Sequence, residues 1–289
     1  MDKCDVIVVT YNRQPYLKEL LSSISSEAEL IGRVVVYDDV SNDGTLDYLY
    51  GNINNFPFEI IVIENQTKSK SVGRSRNVAL DYVTSDYVVV LDDDDVFPPY
   101  KIRKTIELMK NSGGNWVIGS CIEFSENSEA YIPAPKDYKK SLFGTNNIRW
   151  ATTGFRSSVL KEVGFDEDVK IITDWVLYCD LIHNGYEPII SERCLAFYRL
   201  HPGAVSRKYN VLLDDFSQLK CYENYKDFNI EAYQHRTSLI CMVQDKLYFK
   251  ALRLHTSMFF KLGLYKFIRF IPILLPGFIE WYFKRRSLN

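Results

Sequence analysis

The run Leu91-Asp92-Asp93-Asp94-Asp95 sets four carboxylates side by side at the end of an apolar stretch, Tyr87–Leu91. Adjacent negative charges repel, and folding them against a buried strand is unfavourable without a compensating cation. On an extended chain Asp92 and Asp94 point to one side, Asp93 and Asp95 to the other. Two hard oxygen donors on one side suit a divalent ion that also holds phosphate oxygens, Mg2+ or Mn2+. The alternative is a solvated acidic loop capping the helix that follows Pro98-Pro99. Three more polar clusters stand out: Thr10-Tyr11-Asn12-Arg13, Asp38-Asp39-Val40-Ser41-Asn42-Asp43-Gly44-Thr45 and Gly73-Arg74-Ser75-Arg76-Asn77. The Asp38–Thr45 cluster also reads as turn and helix cap. Arg74 and Arg76, at a helix start, fit either a diphosphate or plain surface exposure. Of four histidines, His201 alone lies in a loop beside Arg199, Pro202 and Gly203.

These clusters fall where strands should end. Val6–Thr10, Val34–Tyr37, Glu59–Glu64, Tyr87–Leu91 and Trp116–Phe124 read as strands, the fourth apolar throughout. Helical spacing fills Tyr16–Ser25, Leu46–Tyr50, Ser75–Val83 and the stretch from Pro98-Pro99 through Met109. The alternation predicts an α/β fold with a mainly parallel sheet and helices on both faces. Ligands in such sheets collect beyond the carboxyl ends of the strands. Residues from about 125 to 150 read as loop. Helices are then expected near Ser158–Val163 and Asp174–Asn184, and strands near Pro188–Ile190 and Leu195–Leu200.

The chain has 289 residues, 46% of them hydrophobic and 14% aromatic, with a formal charge of −2, which excludes a disordered coil. Gly and Pro total 24 residues, which excludes collagen-like and linker-like chains. Charge is uneven. Asp245–Asn289 carries nine Lys/Arg against two acidic residues, a net +7, leaving −9 elsewhere. An acidic body does not describe a nucleic-acid binder. The six cysteines, Cys4, Cys121, Cys179, Cys194, Cys221 and Cys241, form no C-x-x-C pair and read as reduced thiols of a cytosolic protein. No signal-peptide layout is evident at the start. The longest uncharged tail stretch, Phe270–Ile279, has ten residues against the roughly 20 that a spanning helix needs. From Tyr248 to Arg286 aromatics and cations interleave, as in a helical extension packed on the body or one lying on an anionic membrane surface.

Taken in order, the clusters resemble the family 2 nucleotide-sugar glycosyltransferases, which have the GT-A fold. The resemblance runs through Val6–Arg13, Asp38–Thr45, Arg76–Leu80 and Leu91–Asp95. It continues through Gly154-Phe155-Arg156, Val163–Glu167, Thr173-Asp174-Trp175 and Tyr198–Gly203, covering about the first 205 residues. It implies that Thr10, Tyr11, Asn12, Arg13 and Asp39 hold the nucleobase, with Asp39 accepting from a uracil N–H. Arg76, or Arg74, would lie by base or diphosphate, and Asp92 and Asp93 by ribose and sugar. Asp94 would ligate Mn2+ or Mg2+, with His201 completing that site or contacting the diphosphate. Asp174 matches the catalytic base, and Trp175 and Arg156 fall on the acceptor side. Three departures stand out: Val40 replaces a usual Gly, Thr173-Asp174 replaces a usual Glu-Asp, and Gly73–Asn77 is slightly shorter than the common form, which leaves Arg74 and Arg76 both in play.

The implied organisation is a catalytic domain over 1–208, with a donor half to about 120 and an acceptor half from 121, then a helical extension over 209–289. The implied reaction is a single inverting displacement. Asp174 takes the acceptor's proton, and metal and arginine offset charge on the departing diphosphate. A UDP-sugar donor and a glycan or polyprenyl-linked acceptor follow from the same resemblance, as does a place on the cytoplasmic face of a bacterial membrane. GDP and dTDP stay open. Asp174 could also simply cap the helix before Trp175–Cys179. The competing readings are a sugar nucleotidylyltransferase, which normally needs glycine after the first strand, where Thr10–Arg13 has none, and a binding module without turnover. No G-x-S-x-G, H-E-x-x-H or Walker A pattern occurs.

Overall fold

The uninterrupted apolar runs become the middle of one eight-stranded sheet. The computed structural model describes residues 2–144, 148–170 and 172–201. Strands β1 (Cys4–Thr10), β2 (Ile31–Asp38), β3 (Glu59–Glu64) and β4 (Tyr87–Asp92) alternate with helices α1 (Gln14–Ile24), α2 (Thr45–Asn52) and α3 (Val72–Leu80). Pairing is parallel throughout this half, with order β3-β2-β1-β4. Parallel β-strands need crossovers, and the helical stripes supply them; Leu17, Leu20, Leu21 and Ile24 of α1 are all buried. Burying both faces of β1 and β4 explains their Val/Ile/Leu runs.

After α4 (Lys101–Ser112) the sheet turns mixed. β5 (Trp116–Ser125) pairs antiparallel with β6 (Ser128–Ile132) and with the short β7 (Gly154–Arg156), which itself pairs antiparallel with β4. Helices α5 (Tyr138–Gly144), α6 (Ser157–Val163) and α7 (Thr173–His183) precede β8 (Pro188–Arg199), which runs parallel to β5. The loop expected over 125–150 is thus interrupted by β6 and α5. The two strands expected after residue 188 are one, because β8 accommodates polar Ser191–Arg193 as a bulge where its register on β5 jumps.

Cys4, Cys121, Cys179 and Cys194 are free thiols, the first three buried. Among the described residues no helix is long and apolar enough to cross a membrane. The extension over 209–289, its membrane-facing reading, Cys221, Cys241, His235 and His255 lie outside the described residues.

Candidate functional site

The four polar clusters converge beyond the carboxyl ends of β1, β2 and β4. Thr10 and Asp38 pair across β1 and β2, and Val9 pairs with Asp92 across β1 and β4. The Asp39 N–H then donates to the Thr10 carbonyl at 2.9 Å, and the Asn65 N–H to the Asp38 carbonyl at 3.0 Å. Asn12 locks the two turns together: its N–H reaches Ser41 Oγ and its Oδ1 accepts from the Asn42 N–H. Both turns carry a left-handed residue, Asn12 at φ 52° and Val40 at φ 68°.

Asp39 is anchored by residues that the sequence did not single out. Its Oδ1 accepts from Asn65 Nδ2 at 2.9 Å and from the Ser69 N–H at 2.7 Å, and Lys68 Nζ stands 4.0 Å from Oδ2. Lys68 also lies over the exposed Tyr11 ring. Thr10 is buried below.

The acidic run leaves the extended geometry at Asp92. The Asp95 N–H turns back to the Asp92 carbonyl, so Asp95 rejoins Asp92 and Asp94 rather than pointing away from them. Carboxylate oxygens of Asp92, Asp94 and Asp95 lie within 4.8 Å of one another. Arg199, at the end of β8, clamps this turn. Its N–H reaches Asp95 Oδ1 at 2.9 Å, its Nε reaches the Asp94 carbonyl at 2.8 Å, and its far end pairs with Glu19. The clamp delivers His201, whose Nε2 sits 2.9 Å from Asp94 Oδ2. Arg13 reaches in from the start of α1 and bonds both Asp93 and Asp94.

Charge in this turn is incompletely balanced. Burial pushes the Asp93 carboxyl up to about 7, with Arg13 opposing the rise. Burial holds Asp95 well above the usual carboxylate range, and neighbouring Asp92 and Asp94 add to it. Its Oδ2 is buried without a partner. For Arg13, burial works against the charge, but Asp93 and Asp94 outweigh it and raise the guanidinium's value. A set of hard carboxylate oxygens beside one imidazole, with one orphaned oxygen among them, fits Mg2+ or Mn2+.

Arg76 joins this turn to the second half of the molecule. Nη2 pairs with Asp92 Oδ1 at 2.9 Å, and Nη1 donates to Thr173 Oγ1 at 2.8 Å. Its guanidinium lies 4.5 Å from the Trp150 ring centre and 5.5 Å from that of Phe165, stacking worth about 1–2 kcal/mol when desolvated. Helix α3 can deliver it because Gly73 touches the 165–167 loop; a Cβ there would meet the Asp166 carbonyl at 2.1 Å. Asn77 completes the contact, exchanging hydrogen bonds with the Phe165 backbone. Of the two arginines, Arg76 is the one that faces the acidic turn. Arg74 is exposed and faces Glu167 at 3.8 Å.

Asp174 is the second residue of α7, in its first turn, and is not the cap, which is Ile172. Burial raises its carboxyl, against the Trp175 N–H and Arg76; burial likewise raises Asp92, with Arg76 opposing and the charges of Asp94 and Asp174 adding to the rise. Two acceptor-side expectations need correction. Trp175 is 1% exposed, its indole N–H donating to the Leu142 carbonyl, so it is core rather than a floor open to substrate. Arg156 pairs with Tyr87 at the opposite end of β4, roughly 16 Å from Asp92. Its guanidinium is spent on the Gly114 and Met109 carbonyls. Periodicity and motif order carry no sign of the Arg156 placement, because it depends on which end of a three-residue strand meets β4.

Comparison with known proteins gives the family and the fold. The family described as Glycosyl transferase family 2 matches residues 5–164. An uncharacterized glycosyltransferase of Methanocaldococcus jannaschii is 25% identical, over 96% of this chain and 92% of that protein. The poly(ribitol-phosphate) beta-N-acetylglucosaminyltransferase TarS of Staphylococcus aureus is 37% identical over 97 residues, 33% of this chain and 17% of TarS. A crystal structure of TarS 1–349 with UDP-GlcNAc superposes with TM-score 0.60 at 20% identity, over 95% of this chain and 80% of that one. Against a longer TarS structure the chain spans 43% of its length. The mannosyltransferase PcManGT of Pyrobaculum calidifontis, in complex with GDP-Man and Mn2+, superposes with TM-score 0.64 at 18% identity, over 99% of this chain and 81% of that one.

Proposed function

The chain belongs to glycosyl transferase family 2 and is a glycosyltransferase of GT-A fold, and on that premise we propose that it transfers a sugar from a UDP-sugar to a hydroxyl of a glycan or polyprenyl-linked glycan, inverting the anomeric carbon. One observation carries this reading: the Arg76 guanidinium bridges Asp92 and Thr173. That bridge draws the acidic turn of β4 and the first turn of α7 into one place, with Asp174 beside it.

Each group then has work to do. Asp39, with Oδ1 already occupied by Asn65 and Ser69, offers Oδ2 to a ring N–H, and Lys68 beside it suits the carbonyl next to that N–H on uracil. Arg76, oriented before substrate arrives, offsets charge gathering on the departing diphosphate. Asp94, Asp92 or Asp95, and His201 would hold Mn2+ or Mg2+, which when bound supplies further charge stabilisation to that leaving group. Asp174 removes the acceptor hydroxyl's proton as its oxygen attacks the opposite face; a carboxyl raised by burial is a stronger base than a free one. Transfer needs no carboxylate nucleophile. Tail residues from Tyr248 onward are assigned to an anionic membrane surface on the cytoplasmic side, where a lipid-linked acceptor would lie.

Asp174→Asn is the direct test. Turnover of a UDP-sugar falls roughly 100- to 10,000-fold, the range of a lost general base, while UDP affinity stays within about threefold. Unchanged turnover removes Asp174 from the reaction and favours a base elsewhere. A thermal-shift response to GDP but not UDP overturns the choice of nucleotide alone.

A further inference from the structure

Arg13 occupies a peculiar position for a nucleotide-contacting residue. Its Nη1 bonds Asp93 Oδ1 at 2.9 Å and also Asp94 Oδ2, the oxygen that lies 2.9 Å from His201 Nε2. An in-plane carboxylate oxygen accepts about two hydrogen bonds, so this one has no lone pair left for an ion. The two partners differ in what they can become. A neutral imidazole can turn from hydrogen-bond donor to metal ligand, whereas a guanidinium stays protonated and can never ligate. Once His201 turns to the ion, Arg13 is the cation left on Asp94 Oδ2, and guanidinium and divalent ion, as like charges on one carboxylate, oppose each other there.

Resting on the reading of this turn as the donor and metal site, we propose that Arg13 is a displaceable counter-cation: it neutralises Asp94 in the ion-free protein, competes with the divalent ion for that carboxylate, and retreats to Asp93 and the donor's diphosphate when ion and nucleotide enter. Arg13 has a place to go. Its bond to Asp93 survives a swing away from Asp94, and it stands at the start of α1 directly after the turn formed by Thr10, Tyr11 and Asn12. An incoming diphosphate offers the same guanidinium a bidentate partner. Ion and donor should then bind cooperatively, each relieving the cost that Arg13 imposes on the other.

The test measures Mn2+ binding by electron paramagnetic resonance, without any turnover, in wild type, Arg13→Gln and Arg13→Lys. Without nucleotide, Arg13→Gln binds Mn2+ roughly tenfold tighter than wild type or better, because a competing cation within about 5 Å is gone. Arg13→Lys, which keeps the charge, stays near wild type. UDP tightens Mn2+ roughly tenfold in wild type and far less in Arg13→Gln. Melting curves of the three proteins establish that each is folded. Mn2+ binding that is equal or weaker in Arg13→Gln, with UDP still bound by every protein, overturns the proposal and leaves the functional reading standing. Failure of the wild type to bind either UDP or Mn2+ overturns both.

Discussion

The two ends of the sheet bury acid in opposite ways. At the amino end of β1, Asp5 is wholly buried and its two oxygens accept four bonds: from the Arg33, Thr84 and Ser85 N–H groups and from the Ser85 hydroxyl, at 2.6 to 3.1 Å. The neighbourhood is so close that a Cβ on Gly32 would stand 2.3 Å from Asp5 Oδ1. At the carboxyl end, Asp92–Asp95 are met by side-chain cations, by one another and by the Arg199 N–H, and among the described residues Asp38 Oδ2 and Asp95 Oδ2 have no partner. Both oxygens of Asp5 are satisfied by neutral donors, whereas at the other end Asp38 and Asp95 each have one oxygen held by a backbone N–H and one held by nothing among the described residues. Burial of a carboxylate is thus no sign of function; how it is satisfied separates a structural knot from a binding site.

The sharpest way to break that contrast is Asp5→Ala. It leaves three N–H groups and a hydroxyl without their acceptor; fully buried, each would cost about 1–3 kcal/mol, but these contacts are only part-buried and water reaches some of them, so the protein loses roughly 3–5 kcal/mol in urea unfolding. UDP affinity of the folded protein should not move. A loss under about 1 kcal/mol would mean that the amino end is not closed by this carboxylate at all.

Lys101 supplies a middle case. Its ammonium is fully buried at the start of α4 and donates to the Ala151 and Thr153 carbonyls. Burial lowers its pKa from 10.5 to about 7, with Cys4 and Glu27 resisting. The unfolded chain keeps this proton up to its ordinary value while the folded chain releases it near 7, so the unfolded state binds more protons between those limits. Stability therefore rises with pH across that window, by on the order of 1 kcal/mol or more. Lys101→Met should abolish the rise; urea midpoints at pH 6.5 and pH 9.5 measure it. An unchanged slope in the variant would assign it to other groups. A neutral amine still donates two hydrogen bonds, so the contacts to the Trp150 segment survive deprotonation.

What was legible in the sequence followed one rule. The apolar runs and the polar clusters after them sit within about five residues of one another, and local order alone placed Thr10, Asp39 and Asp92–Asp95 at one sheet end. Legibility failed wherever a role depends on a distant partner. Arg76 differs from Arg74 only because Gly73 and Asn77 turn its face of α3 toward Phe165 and Trp150. Thr173, read as the loss of an acid, gains a purpose as the acceptor of the Arg76 guanidinium. β7 is three residues long, too short for any period, so the sequence could not show that Arg156 belongs to the far end of β4. Asn65, Ser69 and Lys68 were passed over because their value to Asp39 comes from the fold of the β3–α3 loop and not from any spacing.

The finest test of the contrast concerns strain. Val40 lies between Asp39 and Ser41 with φ 68°, a left-handed conformation that a β-branched residue adopts only under constraint. Here the constraint is visible: the Ser41 N–H is tied to Asp38 Oδ1 at 2.8 Å, and Ser41 Oγ to the Asn12 N–H at 2.9 Å. Left-handed backbone costs an L-residue about 1–2 kcal/mol. Glycine removes that cost but loses about 0.5–1 kcal/mol through its freer unfolded state. Val40→Gly should accordingly stabilise the protein slightly, by about 0–1.5 kcal/mol in urea unfolding, the net of those two terms. UDP affinity should hold within about threefold, because the turn is already pinned in the geometry that glycine would prefer. If Val40→Gly instead destabilised the fold by more than about 1 kcal/mol, the valine would be stabilising this turn, and the carboxyl end would not hold the strain that distinguishes it from the satisfied end at Asp5.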